Sequence, residues 1–165
     1  MVLPNLTTEA DYRAVFKDDS VWLSAIRGIC ELESLDAECL ERPILGTNVV
    51  FRTKDRIIKL FPLLWAEDGI AEMAVLPGLS GLPTPQVISS GELEGWPYLI
   101  LTVAEGVPAM DVWEKIPYDQ QVNLMRDLGA LIRKLHDPRR FRRSPGTGMP
   151  FLPNGSQSGK RITTQ

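Results

Sequence analysis

Lys59 has the most conspicuous setting of any charged residue in this sequence. It lies in Arg56-Ile-Ile-Lys-Leu-Phe61, a β-rich run whose alternation places Ile57, Lys59 and Phe61 on one face. An ammonium among apolar strand neighbours needs a carboxylate or a bound anion, unless its stem carries it out to solvent. Glu72, in the helical stretch that follows, is the expected partner. Asp68 is its rival because i and i+4 share a helix face, and either acid could instead be a solvated surface group. Such a pair would fix the ammonium where a phosphate oxygen can meet it. Ahead of the strand, Gly46-Thr47-Asn48 carries two residues that tolerate positive φ. That suffices for a hairpin turn, and successive backbone N–H groups of such a turn can also face an anion.

The other candidates for chemistry are weaker. Cys30 and Cys39 form neither a CxxC pair nor a zinc ligand set, so both are expected to be reduced, buried small hydrophobes. His136, the sole histidine, falls at a helix end, where the dipole favours it. Gly155-Ser-Gln-Ser-Gly-Lys160-Arg161 imitates a P-loop, but it has one residue too few between its glycines and Arg161 where Ser or Thr should bind Mg²⁺. Trp22, Trp65, Trp96 and Trp113 read as core or interface aromatics.

The elements that must hold Lys59 follow from periodicity. Thr8 and Asp11 make a capping-box-like start for a helix with Tyr12, Val15 and Phe16 on one face. A second helix follows Asp18-Asp19-Ser20, its stripe being Trp22, Ala25, Ile26, Ile29 and Cys30. Residues 39–45, 49–53 and 56–61 read as a three-stranded meander turned at Gly46-Thr47-Asn48 and Lys54-Asp55. Residues 65–79 predict one short helix, with Ile70, Met73 and Ala74 on its face, weakened by Gly69 and limited by Pro77. Residues 86–90 and 96–102 predict two more strands, joined through Gly91-Glu92-Leu93-Glu94-Gly95 and completing five. A polar crossing over 103–117 then leads to the strongest amphipathic helix, 119–136.

The totals agree with one globular domain: 165 residues, 44% hydrophobic and 24% charged. No apolar run is long enough for a membrane span and no secretory signal opens the chain, so a cytoplasmic protein is expected. The net charge of −3 conceals an asymmetry, because all 21 acidic residues precede Pro138. Arg139, Arg140, Arg142, Arg143, Lys160 and Arg161 follow it, in a segment that turns to Gly, Pro, Ser and Thr and predicts a disordered basic tail.

A hairpin, a lysine strand, a glutamate helix and two strands running into a linker follow the order of parts in a kinase small lobe. From about residue 44 to 136 the sequence resembles the aminoglycoside phosphotransferases and related small-molecule kinases. Gly46-Thr-Asn-Val-Val-Phe51 is similar to that family's turn and second strand, Ile57-Ile-Lys-Leu-Phe-Pro62 to its lysine strand and Glu72-Met-Ala-Val-Leu76 to its glutamate helix. Gly95-Trp-Pro-Tyr-Leu-Ile-Leu101 resembles the strand entering the interlobe hinge. Glu105-Gly106 is similar to the small turn after it, and Leu128-Gly129 to Leu135-His136 to the helix that begins the large lobe.

The resemblance implies an α+β, protein-kinase-like small lobe with a five-stranded antiparallel sheet and one helix. Its divisions would be N-terminal helices over 1–38, the nucleotide-binding lobe over 39–105, a linker and first large-lobe helix over 106–138, and the tail over 139–165. It implies ATP or GTP as cofactor, with Lys59 gripping phosphates, Glu72 orienting Lys59, and Gly46, Thr47 and Asn48 covering the phosphates. Thr102, Val103 and Ala104 would meet the purine base. The implied reaction is phosphoryl transfer to a hydroxyl of a small molecule, with Mg²⁺ in a complete enzyme.

The sequence departs from that family at the transfer step, which needs H-x-D-x-x-x-x-N and a later acidic metal motif. Two residues after His136 stands Pro138 and not aspartate, and no asparagine follows until Asn154. The expectation is therefore a lobe whose catalytic half is missing, through truncation or a frameshift, and whose exposed interlobe face favours self-association. The alternatives are a non-catalytic kinase-like interaction module, or a nucleic-acid binder acting through Arg139 to Arg143.

Overall fold

The computed structural model describes residues 3–43 and 47–137. Two helices open it. Thr8 caps α1 (Glu9–Val15) through a capping box with Asp11, and the Asp18 carboxylate caps α2 (Asp19–Leu32) by accepting from the Ser20 N–H. The stripe of α2 is buried as its spacing requires: Trp22, Ala25, Ile26, Ile29 and Cys30 are all within 1% of full burial.

A four-stranded antiparallel sheet follows, made of β1 (Val49–Arg52), β2 (Arg56–Leu60), β3 (Val87–Leu93) and β4 (Trp96–Thr102), in the order β1-β2-β4-β3. The fold class is α+β as expected, but the sheet has four strands where the sequence suggested five. In place of the expected first strand, Glu41 makes a single bridge to Arg52, exchanging bonds of 2.9 and 2.7 Å. Pro43, two residues on, has no N–H to offer a ladder. Gly46 and its neighbours at 44 and 45 lie outside the described residues, as does everything from 138 onward.

The second hairpin is also tighter than expected. β3 runs on to Leu93, so the connection is only Glu94-Gly95, with φ of 51° and 83°. Two consecutive positive φ values are what a twisted two-residue hairpin turn demands. Glu94 accepts the left-handed conformation and receives the Leu3 N–H on its carboxylate at 3.0 Å. Cys39 is exposed, contrary to expectation, while Cys30 is buried and both are free.

The two faces of the sheet are packed unequally. The face carrying Val49, Phe51, Ile58, Leu60, Tyr98 and Ile100 is covered by α1 and α2 and forms the larger core. On the opposite face Phe61, Leu99 and Leu101 form a small cluster, joined by Ile57, Met73, Leu76 and Val87. That second face is where α3 (Ala66–Val75) lies, entered by a 3-10 turn at Leu63–Trp65 and left by another at Leu76–Leu79. The single helix expected over 65–79 is thus an α-helix with a 3-10 turn at each end, the second holding Pro77, and Ile70 is half exposed and not packed.

Residues 103–117 carry a short helix α4 (Ala109–Val112) and a 3-10 turn at Trp113–Lys115, where a polar crossing was expected. The last element, α5 (Tyr118–Leu135), buries none of its residues, and His136 closes it as C-cap.

Candidate functional site

Cross-strand register places Lys59 of β2 opposite Val50 on one side and Leu99 on the other, so these side chains share the face under α3. The Lys59 ammonium donates to the Glu72 carboxylate, and the side chains are 17% and 29% exposed. The Lys59 Nζ also stands 5.1 Å from the centre of the Phe61 ring. Asp68, the rival acid, instead lines a groove together with Thr47 and Asn48. The ion pair is neither deeply buried nor free in solvent, so the ammonium is held in one place while still reachable by an anion.

Gly69 sets the height of α3 above this face. A Cβ built at position 69 would stand 2.8 Å from Phe61 Cγ and 2.9 Å from Cδ2, too close for any other residue without movement. The sequence showed Gly69 only as a weakness in a helix. In the fold it lets the helix backbone settle onto the Phe61 ring, and Glu72, three residues later, lies nearly above it on the same face.

Before β1, Thr47 and Asn48 form the visible part of the turn. The Tyr12 hydroxyl donates to the Thr47 carbonyl at 2.6 Å. Burial pushes the Tyr12 phenol up to about 12, against a smaller opposing pull from Arg42, so it stays a proton donor at neutral pH. An open groove of about 530 Å³ runs between α1, this turn and the start of α3, lined among others by Tyr12, Phe16, Asn48, Trp65 and Asp68. At the other end of the sheet Thr102 closes the ladder: its N–H donates to the Gln86 carbonyl and its hydroxyl accepts the Gln86 N–H, both at 2.9 Å. Val103 and Ala104 lie just beyond, past the last Arg56–Thr102 pair.

The structure thus brings Lys59 and Glu72 into contact, places Thr47 and Asn48 at the β1 end of the sheet, and sets Thr102 to Ala104 at the end of β4. Gly46 lies outside the described residues. The shared face of Lys59 and Phe61 was legible from alternation, whereas sequence reasoning missed Val50 beside Lys59 and the contact of Tyr12 with the turn. Alternation along β1 could have found Val50. Nothing local could have found Tyr12, which reaches across 35 residues. Among the described residues no three His, Cys, Asp or Glu side chains gather as a metal ligand set. No helix among them is long and apolar enough to cross a membrane.

The sequence was compared with family models, with curated proteins and with solved structures. The last two comparisons find no match. The model of the phosphotransferase enzyme family, APH, matches residues 42–156, which includes every strand, the Lys59–Glu72 pair and α5, and continues past Pro138. With well over half its length matched, the chain belongs to the phosphotransferase enzyme family.

Proposed function

We propose that this chain is the nucleotide-binding part of an ATP- or GTP-dependent phosphotransferase whose acceptor is a hydroxyl of a small molecule. The observation that carries the reading is the Lys59–Glu72 pair on a half-open face of the sheet. An ammonium oriented by a carboxylate can grip a polyphosphate without being neutralised by it. Val50 and Ile57, partly exposed on the same face, offer apolar surface to a base. The backbone at Thr102, Val103 and Ala104 offers hydrogen bonds at the base edge, and the turn at Gly46, Thr47 and Asn48 offers N–H groups to phosphate oxygens.

Transfer itself needs an aspartate to orient the acceptor hydroxyl and a metal ligand set. The 165 residues contain no H-x-D-x-x-x-x-N segment, so the chain binds nucleotide without completing transfer on its own. The test is a titration with MgATP and MgGTP of the wild type and of Lys59→Ala. Losing a charge-assisted contact to phosphate costs about 1.5–3 kcal/mol, roughly ten- to a hundredfold in affinity. An equal response from both proteins would discard the assignment of Lys59.

A second reading is favoured by α5. Tyr118, Met125, Leu128 and Ile132 expose apolar surface there, with Met125 at 53% and Leu128 at 44% exposure. Such a face needs a cover, either a large lobe or a second copy of the chain. The basic run Arg139 to Arg143 leaves nucleic acid as the competing partner. Binding to nucleic acid would weaken steeply with salt and vanish when the tail is removed, whereas a nucleotide site would survive that removal.

A further inference from the structure

We propose that Tyr12 is a positioning residue for the nucleotide site, tying the phosphate-covering turn and the glutamate helix to a single buried ring. The proposal rests on the nucleotide reading and adds to it a role for the N-terminal helix, which lies outside the matched family segment.

Tyr12 is buried, with 5% exposure, in a helix whose first turn is fixed by the Thr8–Asp11 capping box. Its hydroxyl holds the Thr47 carbonyl, and its ring meets Trp65 edge-on with centroids 4.8 Å apart. Phe16 and Trp22 pack around it at 5.1 and 6.2 Å. Trp65 ends the turn from which α3 departs toward Glu72. One side chain therefore touches both the element that would cover the phosphates and the root of the element that orients Lys59.

The peptide plane makes the first contact directional. In a trans peptide the N–H of Asn48 points opposite to the C=O of Thr47. With that carbonyl anchored on Tyr12, the Asn48 N–H is turned away from the Tyr12 hydroxyl, an orientation in which it could meet a phosphate oxygen. Without the hydroxyl the plane can rotate and the N–H loses its fixed direction, while the ring can stay packed on Trp65.

The test is Tyr12→Phe, which removes the hydroxyl and keeps the ring, measured by titration with MgATP and with AMP. AMP retains base and ribose but lacks the β- and γ-phosphates. The expected result is a roughly fivefold loss of MgATP affinity, the worth of about one hydrogen bond, with AMP affinity unchanged. The unfolding midpoint without nucleotide should move by only a few degrees, and amide exchange at Thr47 and Asn48 should rise relative to β4. Equal weakening toward both nucleotides would mean a general loss of structure and would overturn the proposal. So would unchanged MgATP affinity in Tyr12→Phe while Lys59→Ala loses it. If Lys59→Ala binds MgATP as tightly as wild type, the nucleotide reading itself is wrong and the role of Tyr12 falls with it.

Discussion

Replacing Gly69 by alanine should destabilise the protein, although alanine is the better helix former. In an open helix interior the exchange gains about 0.5–1 kcal/mol. At position 69 the new methyl would sit 2.8 Å from Phe61 Cγ, 2.9 Å from Cδ2 and 3.3 Å from Cδ1. Ordinary carbon contacts begin near 3.5 Å, so helix and ring must separate by roughly 0.7 Å. Phe61 is 2% exposed and packs with Leu99 and Leu101, which leaves the ring little room to retreat. Overpacking of this kind costs about 1–3 kcal/mol, so the net change is a loss of roughly 1 kcal/mol, or about 4 °C in midpoint. Gly129 in α5 is the matched control, because a Cβ there meets nothing within 4 Å among the described residues. Gly129→Ala should therefore stabilise by about 0.5–1 kcal/mol. Urea unfolding of both variants beside wild type gives the comparison, and the Gly69→Ala/Phe61→Leu double variant supplies the coupling. Relief of the clash should make the double variant more stable than the sum of the singles by at least about 0.5 kcal/mol. Two stabilising shifts of similar size would refute the claim that α3 is seated on Phe61.

Further outcomes follow from other parts of the structure. Tyr12 ionises near its ordinary value of 10 in the unfolded chain and at about 12 in the fold, so its share of stability is whole below pH 10 and is lost as pH rises from 10 to 12. Tyr98, also raised by burial and by its bond to Glu33, adds to the same alkaline loss. Melts from pH 8 to 11 should show Tyr12→Phe losing less stability than wild type over the alkaline part, and parallel curves would exclude burial as the cause. Gly91→Ala would drive a methyl to 2.6 Å from Tyr98 Cζ and dislodge the hydroxyl that donates to Glu33 at 2.6 Å. A loss of about 1–3 kcal/mol is expected in chemical unfolding, and a neutral result would mean Tyr98 can move freely. Met125→Lys with Leu128→Lys should abolish any concentration-dependent sedimentation of the wild type without lowering its unfolding midpoint by more than a few degrees, because neither residue is buried. Association that persists in the double variant would place the contact elsewhere.

Local rules made much of the scaffold readable. Thr8, Asp11 and the stripe from Trp22 to Cys30 state two helices through caps and spacing alone, and both form. Lys59 was readable because a period of two leaves one cation among apolar neighbours, and its partner lies only 13 residues away. What escaped were features decided by a distant contact or by one backbone atom. Pro43 removes a donor, and among the described residues the expected strand there leaves one bridge. Glu94 takes a left-handed φ that its type does not advertise, so a two-residue turn was read as five. Gly69 carries its meaning in the space above Phe61, and the hold of Tyr12 on Thr47 joins segments with no shared pattern.

The unequal packing of the two sheet faces has a mechanical consequence. Most of the cohesive energy of the lobe lies behind the sheet, where α2 and its tryptophan are sealed against the strands, while α3 has Gly69 as its only buried residue. An element so lightly fastened can lift away at a fraction of the cost of global unfolding. The Lys59–Glu72 ion pair could then open while the strand bearing Lys59 stayed in place, without the sheet melting.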